Sequence, residues 1–195
     1  MGRIAGIDEA GRGPLAGPVV AAAVIIAPDR RIKGLADSKL LPPERREELF
    51  HVIQERALAV GVGVVDHETI DRLNILQATR QAMAEALAAL AVAPELVITD
   101  FVALAGLPCP QRNLVAGDRR CASVAAASII AKVTRDRLMV AMDTRFPEYG
   151  FARHKGYATP EHLAALDKHG PCPIHRRSFS GVRRQGELFV LEDED

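Results

Sequence analysis

The residues best suited to chemistry are acids at the ends of short apolar segments. Asp8, Asp100 and Asp118 each lie at or just past a segment that is typical of a β-strand, and Glu9 follows Asp8 directly. Carboxylates that meet at one edge of a sheet repel one another, and a divalent cation removes that conflict. Mg²⁺ prefers oxygen ligands, and two such ions can activate water for phosphodiester hydrolysis. Taken singly, strand-end aspartates are also common turn residues, so spacing alone leaves both interpretations open.

The composition is that of an ordinary globular protein, with 48% hydrophobic and 26% charged residues. Its 195 residues suit one domain with a small appendage. The 25 basic and 25 acidic residues balance, so any basic binding surface must be local. The three cysteines are far apart and show no C-x-x-C spacing, which indicates neither a disulfide framework nor a zinc site. With no secretory signal and no long apolar run, we expect a cytoplasmic protein that does not enter a membrane.

The pattern of apolar residues predicts an α/β fold. Short β-branched segments predict strands over residues 3–8, 19–26, 60–65, 96–99 and 113–116. Helical periodicity and start signals predict helices that begin near Pro43, after an N-cap at Asn74, near Val124 and at Pro160, with Gly170 ending the last. This order predicts a sheet of mixed direction with helices packed on it and a helical C-terminal third.

Several motifs in this chain together resemble the ribonuclease HII family. The first spans residues 6–20 and contains the acidic pair followed by a glycine-rich turn. The others follow in the family's order, at residues 37–40, 117–118 with 123–136, 155–157 and 175–179. The resemblance extends from about residue 4 to residue 179, nearly the whole chain. An ordered series of this kind is far more specific than a lone acidic pair.

The resemblance implies a ribonuclease H-like mixed β-sheet flanked by helices. It implies a catalytic domain over residues 1–145 and a small helical substrate-binding extension with an acidic tail over residues 146–195. The implied activity is that of a monomeric endonuclease that hydrolyses the RNA strand of RNA–DNA hybrids and incises at single ribonucleotides embedded in duplex DNA. Its products would carry 3′-hydroxyl and 5′-phosphate ends.

The resemblance also assigns roles to individual residues. Four acids would hold two Mg²⁺ or Mn²⁺ ions and catalyse hydrolysis: Asp8, Glu9, Asp100 and Asp118. Five residues would bind substrate: Gly11, Arg12, Gly13, Lys39 and Tyr157. Glycine amides can approach a sugar closely because no Cβ intervenes. The 2′-hydroxyl is the group that separates the two sugars, and an aromatic ring with a polar tip suits packing on a sugar.

Some assignments keep alternatives. Phe101 stands where the family usually has glycine after the third acid, and Asp136 is the alternative acid, although its arginine neighbours favour a local ion pair. Basic groups suited to phosphate contacts are Arg12, Lys39, Arg119, Arg120, Lys132 and Lys155. A later basic stretch, Arg176, Arg177, Arg183 and Arg184, is either a duplex contact or a solvated surface. The late histidines show no metal-ligand spacing.

The alternative functions are another nuclease or strand transferase on the same fold, and a hybrid-binding protein without catalysis. The glycine-rich turn together with Tyr157 argues against the first alternative, because these residues would read a ribose. The presence of all four acids in the sequence argues against the second.

Overall fold

A computed structural model describes residues 2–27, 29–36, 38–99, 102–114 and 121–182. In these ranges it contains one five-stranded sheet in the order β3-β2-β1-β4-β5. The strands are β1 (Ile4–Ala10), β2 (Val19–Ile25), β3 (Ala59–Val65), β4 (Leu96–Thr99) and β5 (Gln111–Asn113). The first strand is antiparallel to β2 and parallel to β4, so the predicted mixed sheet is confirmed.

Helices cover both faces of this sheet. They are α1 (Pro43–Arg56), α2 (His67–Leu73), α3 (Ile75–Ala88), α4 (Ala122–Arg145), α5 (Phe151–His154) and α6 (Pro160–His169), with 3-10 turns at Ser38–Leu40 and Pro147–Tyr149. The predicted flanking helices and the small helical C-terminal part are therefore present. Across the described ranges, no helix is long and apolar enough to cross a membrane.

The sheet lies between two apolar clusters, one on each face. All seven residues of β2 are buried, as expected for a central strand that packs on both faces. On one face, Ile7 and Ala23 pack with Met83 of α3. On the other face, Val24 packs with Ile129 of α4.

The predicted helix starts at residues 74 and 159 are confirmed by their caps. The Asn74 side chain accepts hydrogen bonds from the Leu76 and Gln77 amides at 3.0 and 3.1 Å. Thr159 accepts one from the His162 amide at 3.3 Å. These side-chain oxygens bind amides that have no partner within the helix.

Three local features differ from the sequence expectation. The first strand continues to Ala10, so the acidic pair lies inside it rather than at its end. The last strand among the described residues, Gln111–Asn113, begins two residues before the strand predicted over residues 113–116, of which 115 and 116 lie outside the described residues. This edge strand pairs through its backbone, and its polar side chains form hydrogen bonds with Thr99 Oγ1. It therefore has no apolar pattern from which the sequence could predict a strand. Helix α2 was not predicted, because it is short and buries only Ile70.

Close contact between β1 and α4 depends on Gly6. A Cβ at this position would lie 2.1 Å from the Val124 amide nitrogen and 2.2 Å from the Ser123 carbonyl carbon, both backbone atoms that cannot turn away. Since side chains alternate along a strand, Asp8 is on the same face of β1 as Gly6. The acid is therefore held close to the helix that carries part of the candidate site.

A third cluster joins the C-terminal helices to the turn after β1. Leu15 and Met139 pack with Tyr149 and Phe151. Backbone hydrogen bonds add to this packing: the Leu15 amide donates to the Gly156 carbonyl at 2.8 Å. The C-terminal part is thus in direct contact with the glycine-rich segment.

Candidate active site

A cleft of about 850 Å³ opens at the end of β1. Its walls come from β1, the following turn, α1, the start of α3 and the middle of α4. The lining residues are Asp8, Glu9, Ala10, Gly11, Arg12, Gly13, Ser38, Lys39, Arg46, Ile75, Ser128, Lys132 and Tyr157. Two of the four predicted acids and all five predicted substrate contacts are therefore brought together in one place.

Asp8 and Glu9 reach the cleft from opposite faces of the strand. Consecutive side chains on a strand alternate, so Asp8 is on the α4 face and Glu9 on the α3 face. The cleft extends around the strand end, with Ile75 on one side and Ser128 on the other. The Glu9 amide donates to Asp8 Oδ1 at 2.8 Å, and Arg12 Nη1 donates to Glu9 Oε1 at 3.3 Å.

The other two predicted acids, Asp100 and Asp118, lie outside the described residues, as does Asp37 of the second motif. The strand that precedes Asp100 is described. Its last residue, Thr99, pairs with Ile7 in the parallel register between β4 and β1.

Two glycines of the turn differ in whether the backbone and its surroundings allow a side chain. Gly11 is buried with a φ of +96°, and a Cβ there would lie 2.8 Å from the Pro18 carbonyl oxygen and 2.0 Å from Arg135 Nε. Gly13 is exposed, and the nearest atom to a Cβ there would be Tyr157 Cε1 at 3.9 Å. The fold therefore requires glycine at position 11 but not at position 13.

Tyr157 and Lys39 both line this cleft. Tyr157 is 44% exposed, with the Arg135 guanidinium 5.8 Å from its ring centroid. Lys39 lies in a 3-10 turn that Arg46 holds by donating to the Ser38 and Leu41 carbonyls at 3.0 and 2.8 Å.

The cleft combines two carboxylates with four cations, Arg12, Lys39, Arg46 and Lys132. A polyanion entering it would meet positive charge on several sides. Asp136 does not line this cleft; it lines a neighbouring groove of about 520 Å³ and pairs at 2.7 Å with Lys132, which lines both. Lys155 lines that groove as well, and burial lowers the pKa of its amine. Arg119 and Arg120 lie outside the described residues.

Comparison with known proteins shows which family this chain belongs to. The family model described as ribonuclease HII matches residues 5–182. The chain belongs to the ribonuclease HII family. It is therefore an endoribonuclease of the ribonuclease H type, and the family degrades RNA in RNA–DNA hybrids.

Individual relatives agree with this assignment. A ribonuclease HII of Geobacillus thermodenitrificans is 60% identical over 183 residues, covering 93% of this chain and 70% of the relative. The crystal structure of ribonuclease H2 from Pyrococcus horikoshii has a TM-score of 0.81 at 29% identity and covers 93% of this chain and 95% of that one. A structure described as Bst-RNase HIII in complex with Mn²⁺ has a TM-score of 0.64 over 92% of this chain and 68% of that one; at 19% identity it shows the fold alone.

Two buried arginines support the glycine-rich turn of this ribonuclease HII chain. Arg135 and Arg176 are 1% and 0% exposed. Arg135 donates to the carbonyls of Ala16, Pro18 and Lys155. Burial, and for Arg176 also the nearby Arg135 charge, lowers the pKa of both guanidinium groups.

The sequence assigned neither arginine to this role. Arg176 had been placed in a basic stretch that was either a duplex contact or a solvated surface, and its burial excludes both. Both residues lie inside the motifs that carried the family resemblance, but burial of an arginine has no sequence signal of its own. Of the rest of that stretch, Arg177 is exposed, while Arg183 and Arg184 lie outside the described residues.

Three late histidines form a buried hydrogen-bonded group next to Tyr157. The Cys172 amide donates to His175 Nδ1 at 2.9 Å, so the proton of His175 is on Nε2 and faces His162 Nε2 at 2.9 Å. The proton of His162 is then on Nδ1, 2.9 Å from the Tyr157 carbonyl oxygen. His154 stacks on His162 with ring centroids 4.5 Å apart. The hydrogen bond between His162 and His175 needs these two rings to be neutral.

Acid should therefore destabilise the protein. Burial lowers the pKa of His162, and burial with the neighbouring His162 lowers that of His175 to about 4. Between pH 6.5 and 4 the unfolded chain binds more protons than the folded one, so the free energy of unfolding falls as the pH falls. We expect His175 alone to account for about 3 kcal/mol over that window.

Urea unfolding at pH 7.0, 5.5 and 4.5 measures this effect. His175→Gln should be less stable at pH 7.0, and its stability should change less between pH 7.0 and 4.5 than that of the wild type. An equal pH dependence in both proteins would contradict the assignment to His175.

Proposed function

We propose that the cleft hydrolyses the RNA strand of RNA–DNA hybrids and incises at single ribonucleotides embedded in duplex DNA, leaving 3′-hydroxyl and 5′-phosphate ends. One observation carries this proposal: the acidic pair, the glycine-rich turn and Tyr157 line the same cleft. An acidic pair alone would suit many nucleases. A glycine-rich turn and an aromatic ring beside it favour an enzyme that acts at ribonucleotides.

The acids suit a divalent cation. Asp8 and Glu9 offer carboxylate oxygens, which Mg²⁺ and Mn²⁺ prefer. We propose that Asp100 and Asp118 complete the set for two ions. In support, β4 ends at Thr99 beside Ile7, at the same edge of the sheet as Asp8. Across residues 2–27, 29–36, 38–99, 102–114 and 121–182, no group of three acidic, histidine or cysteine side chains could hold a metal.

Bound ions would supply activation of water and neutralisation of charge on the scissile phosphate. This chain's own residues bind and orient the substrate around that centre. Arg12 Nη1 bonds Glu9 Oε1 at 3.3 Å, which restrains the carboxylate. Lys39 and Lys132 line the cleft as cations for the flanking phosphates.

The glycine-rich turn and Tyr157 would read the sugar. Gly13 is exposed and has no side chain of its own, so a ribose can approach its backbone closely. Tyr157 faces the same space across 3.9 Å and offers a ring that can pack on the sugar. Together they would let the site recognise one ribonucleotide, whether in a hybrid or embedded in duplex DNA.

We propose that residues 146–195 act as the substrate-binding extension of a catalytic domain over residues 1–145. Tyr157, which belongs to the extension, lines the cleft and supports this division. We propose that the protein acts as a monomer. Sparse, separated cysteines suit a reducing cytoplasm.

Three duplexes of equal length and sequence test the proposed substrate class, each at the same Mg²⁺ concentration. We expect incision of an RNA–DNA hybrid and of a DNA duplex with one ribonucleotide, and none of an all-DNA duplex. Cleavage confined to the hybrid would contradict recognition of single ribonucleotides. Binding without cleavage of any duplex would favour the non-catalytic alternative.

A further inference from the structure

Arg176 is a buried cation whose hydrogen bonds all go to one backbone segment. Its Nε donates to the Gly17 carbonyl at 2.9 Å. Its Nη1 donates to Arg12 at 3.0 Å, and its Nη2 donates to Gly11 at 2.6 Å and to Pro18 at 3.1 Å. The guanidinium thus bridges the beginning and the end of the segment that follows the acidic pair.

These contacts determine the direction of two amide groups. In a trans peptide, the carbonyl of one residue and the N–H of the next point in opposite directions. The carbonyls of Gly11 and Arg12 point at the buried guanidinium. The N–H groups of Arg12 and Gly13 therefore point away from it, and all three residues line the cleft.

We propose that Arg176 is a positioning residue for the ribonuclease reaction, which aims the Arg12 and Gly13 amides at the ribose by fixing the carbonyls behind them. The inference rests on the proposed function of the turn. Arg176 acts through the backbone of the turn, since its side chain is 0% exposed and cannot contact substrate.

A purely structural role explains Arg176 less well. Burying a charge is costly, and well-packed apolar residues often replace buried ions without loss of stability. A planar fork with five N–H donors can fix several carbonyls at set angles, which an apolar side chain cannot do. Ordering the turn is what the guanidinium adds.

The test compares binding of a duplex with one ribonucleotide and the matching all-DNA duplex, in EDTA so that nothing is cleaved. The measured quantity is the ratio of the two dissociation constants. Arg176→Lys keeps the charge but loses the fork, and we expect it to reduce the wild-type preference at least about fivefold. Tyr149→Phe is the control: it keeps the packing of the ring and removes a buried hydrogen bond of 2.6 Å to the Gly170 carbonyl, which does not involve residues 11–13, so it should leave the ratio unchanged.

Each outcome discriminates between the two proposals. A folded Arg176→Lys variant with the wild-type ratio would overturn the inference, as would an equal loss of preference in Tyr149→Phe. Equal binding of both duplexes by the wild type would overturn the proposed reading of the ribose, and the inference with it.

A second measurement needs no variant and applies if Arg176→Lys does not fold. Amide-resolved NMR of the wild type should show slowed exchange of the Arg12 and Gly13 amides with the ribonucleotide duplex, but not with the all-DNA duplex. Equal responses to both duplexes, or no response, would overturn the inference.

Discussion

Replacing Asp8 with Asn is expected to reduce kcat at least about 1,000-fold, equivalent to about 4 kcal/mol of transition-state stabilisation. The variant keeps the size and the hydrogen-bonding oxygen that accepts from the Glu9 amide, so the fold should persist. What it loses is the negative charge beside the scissile phosphate. Single-turnover cleavage of the ribonucleotide duplex, with circular dichroism to confirm folding, measures the effect.

Asp136→Asn is the informative comparison for this prediction. Asp136 pairs with Lys132 in the neighbouring groove and does not line the cleft. We expect its activity to remain within a few-fold of wild type, since an ion pair of this kind contributes about 1 kcal/mol or less. Loss of activity in Asp136→Asn but not in Asp8→Asn would contradict the assignment of the acids.

The second large effect is a difference in stability between alanine substitutions at Gly11 and at Gly13. Gly11→Ala should lower the free energy of unfolding by about 2–4 kcal/mol, because it combines a positive φ with overlap against a backbone carbonyl. Gly13→Ala should change stability by less than about 0.5 kcal/mol, because its Cβ would meet only Tyr157 Cε1, at an ordinary contact distance of 3.9 Å. Urea unfolding measures both values.

At position 13 we expect the substitution by alanine to weaken substrate binding although it leaves stability nearly unchanged. The methyl group of Gly13→Ala would occupy the space beside Tyr157 that we assign to the ribose. We expect KM for the ribonucleotide duplex to rise about tenfold, which corresponds to about 1.4 kcal/mol. A wild-type KM in this stable variant would show that the ribose does not approach Gly13.

Apolar patterning was sufficient to predict the sheet and most of the helices. The strand Val19–Ile25 is covered on both faces, which requires a continuous apolar run, and such a run can be recognised in the sequence. Asn74 can be recognised as a helix cap because its side chain can bind free amides. The edge strand Gln111–Asn113 was misplaced, since backbone pairing at a sheet edge places no apolar demand on its side chains. Helix α2 was missed because one buried residue gives no period.

The lining of the cleft was predictable from residue types in motif order, whereas the buried residues that support it were not. Glycines, a tyrosine and acids in motif order marked the cleft lining. Arg176 could not be separated in sequence from solvated arginines such as Arg177, because only the fold shows that its partners are carbonyls more than 150 positions away in sequence. The irregular spacing of His162 and His175 likewise concealed their contact.

The most direct test of the account follows a DNA duplex with one ribonucleotide through incubation with the wild-type protein, with Mg²⁺ and then with EDTA in its place. We expect incision beside the ribonucleotide only with Mg²⁺, restored when the ion is added back, and products with 3′-hydroxyl and 5′-phosphate ends. Incision that persists in EDTA, or no incision at the ribonucleotide with Mg²⁺ or Mn²⁺ present, would contradict a metal-dependent site built on Asp8 and Glu9.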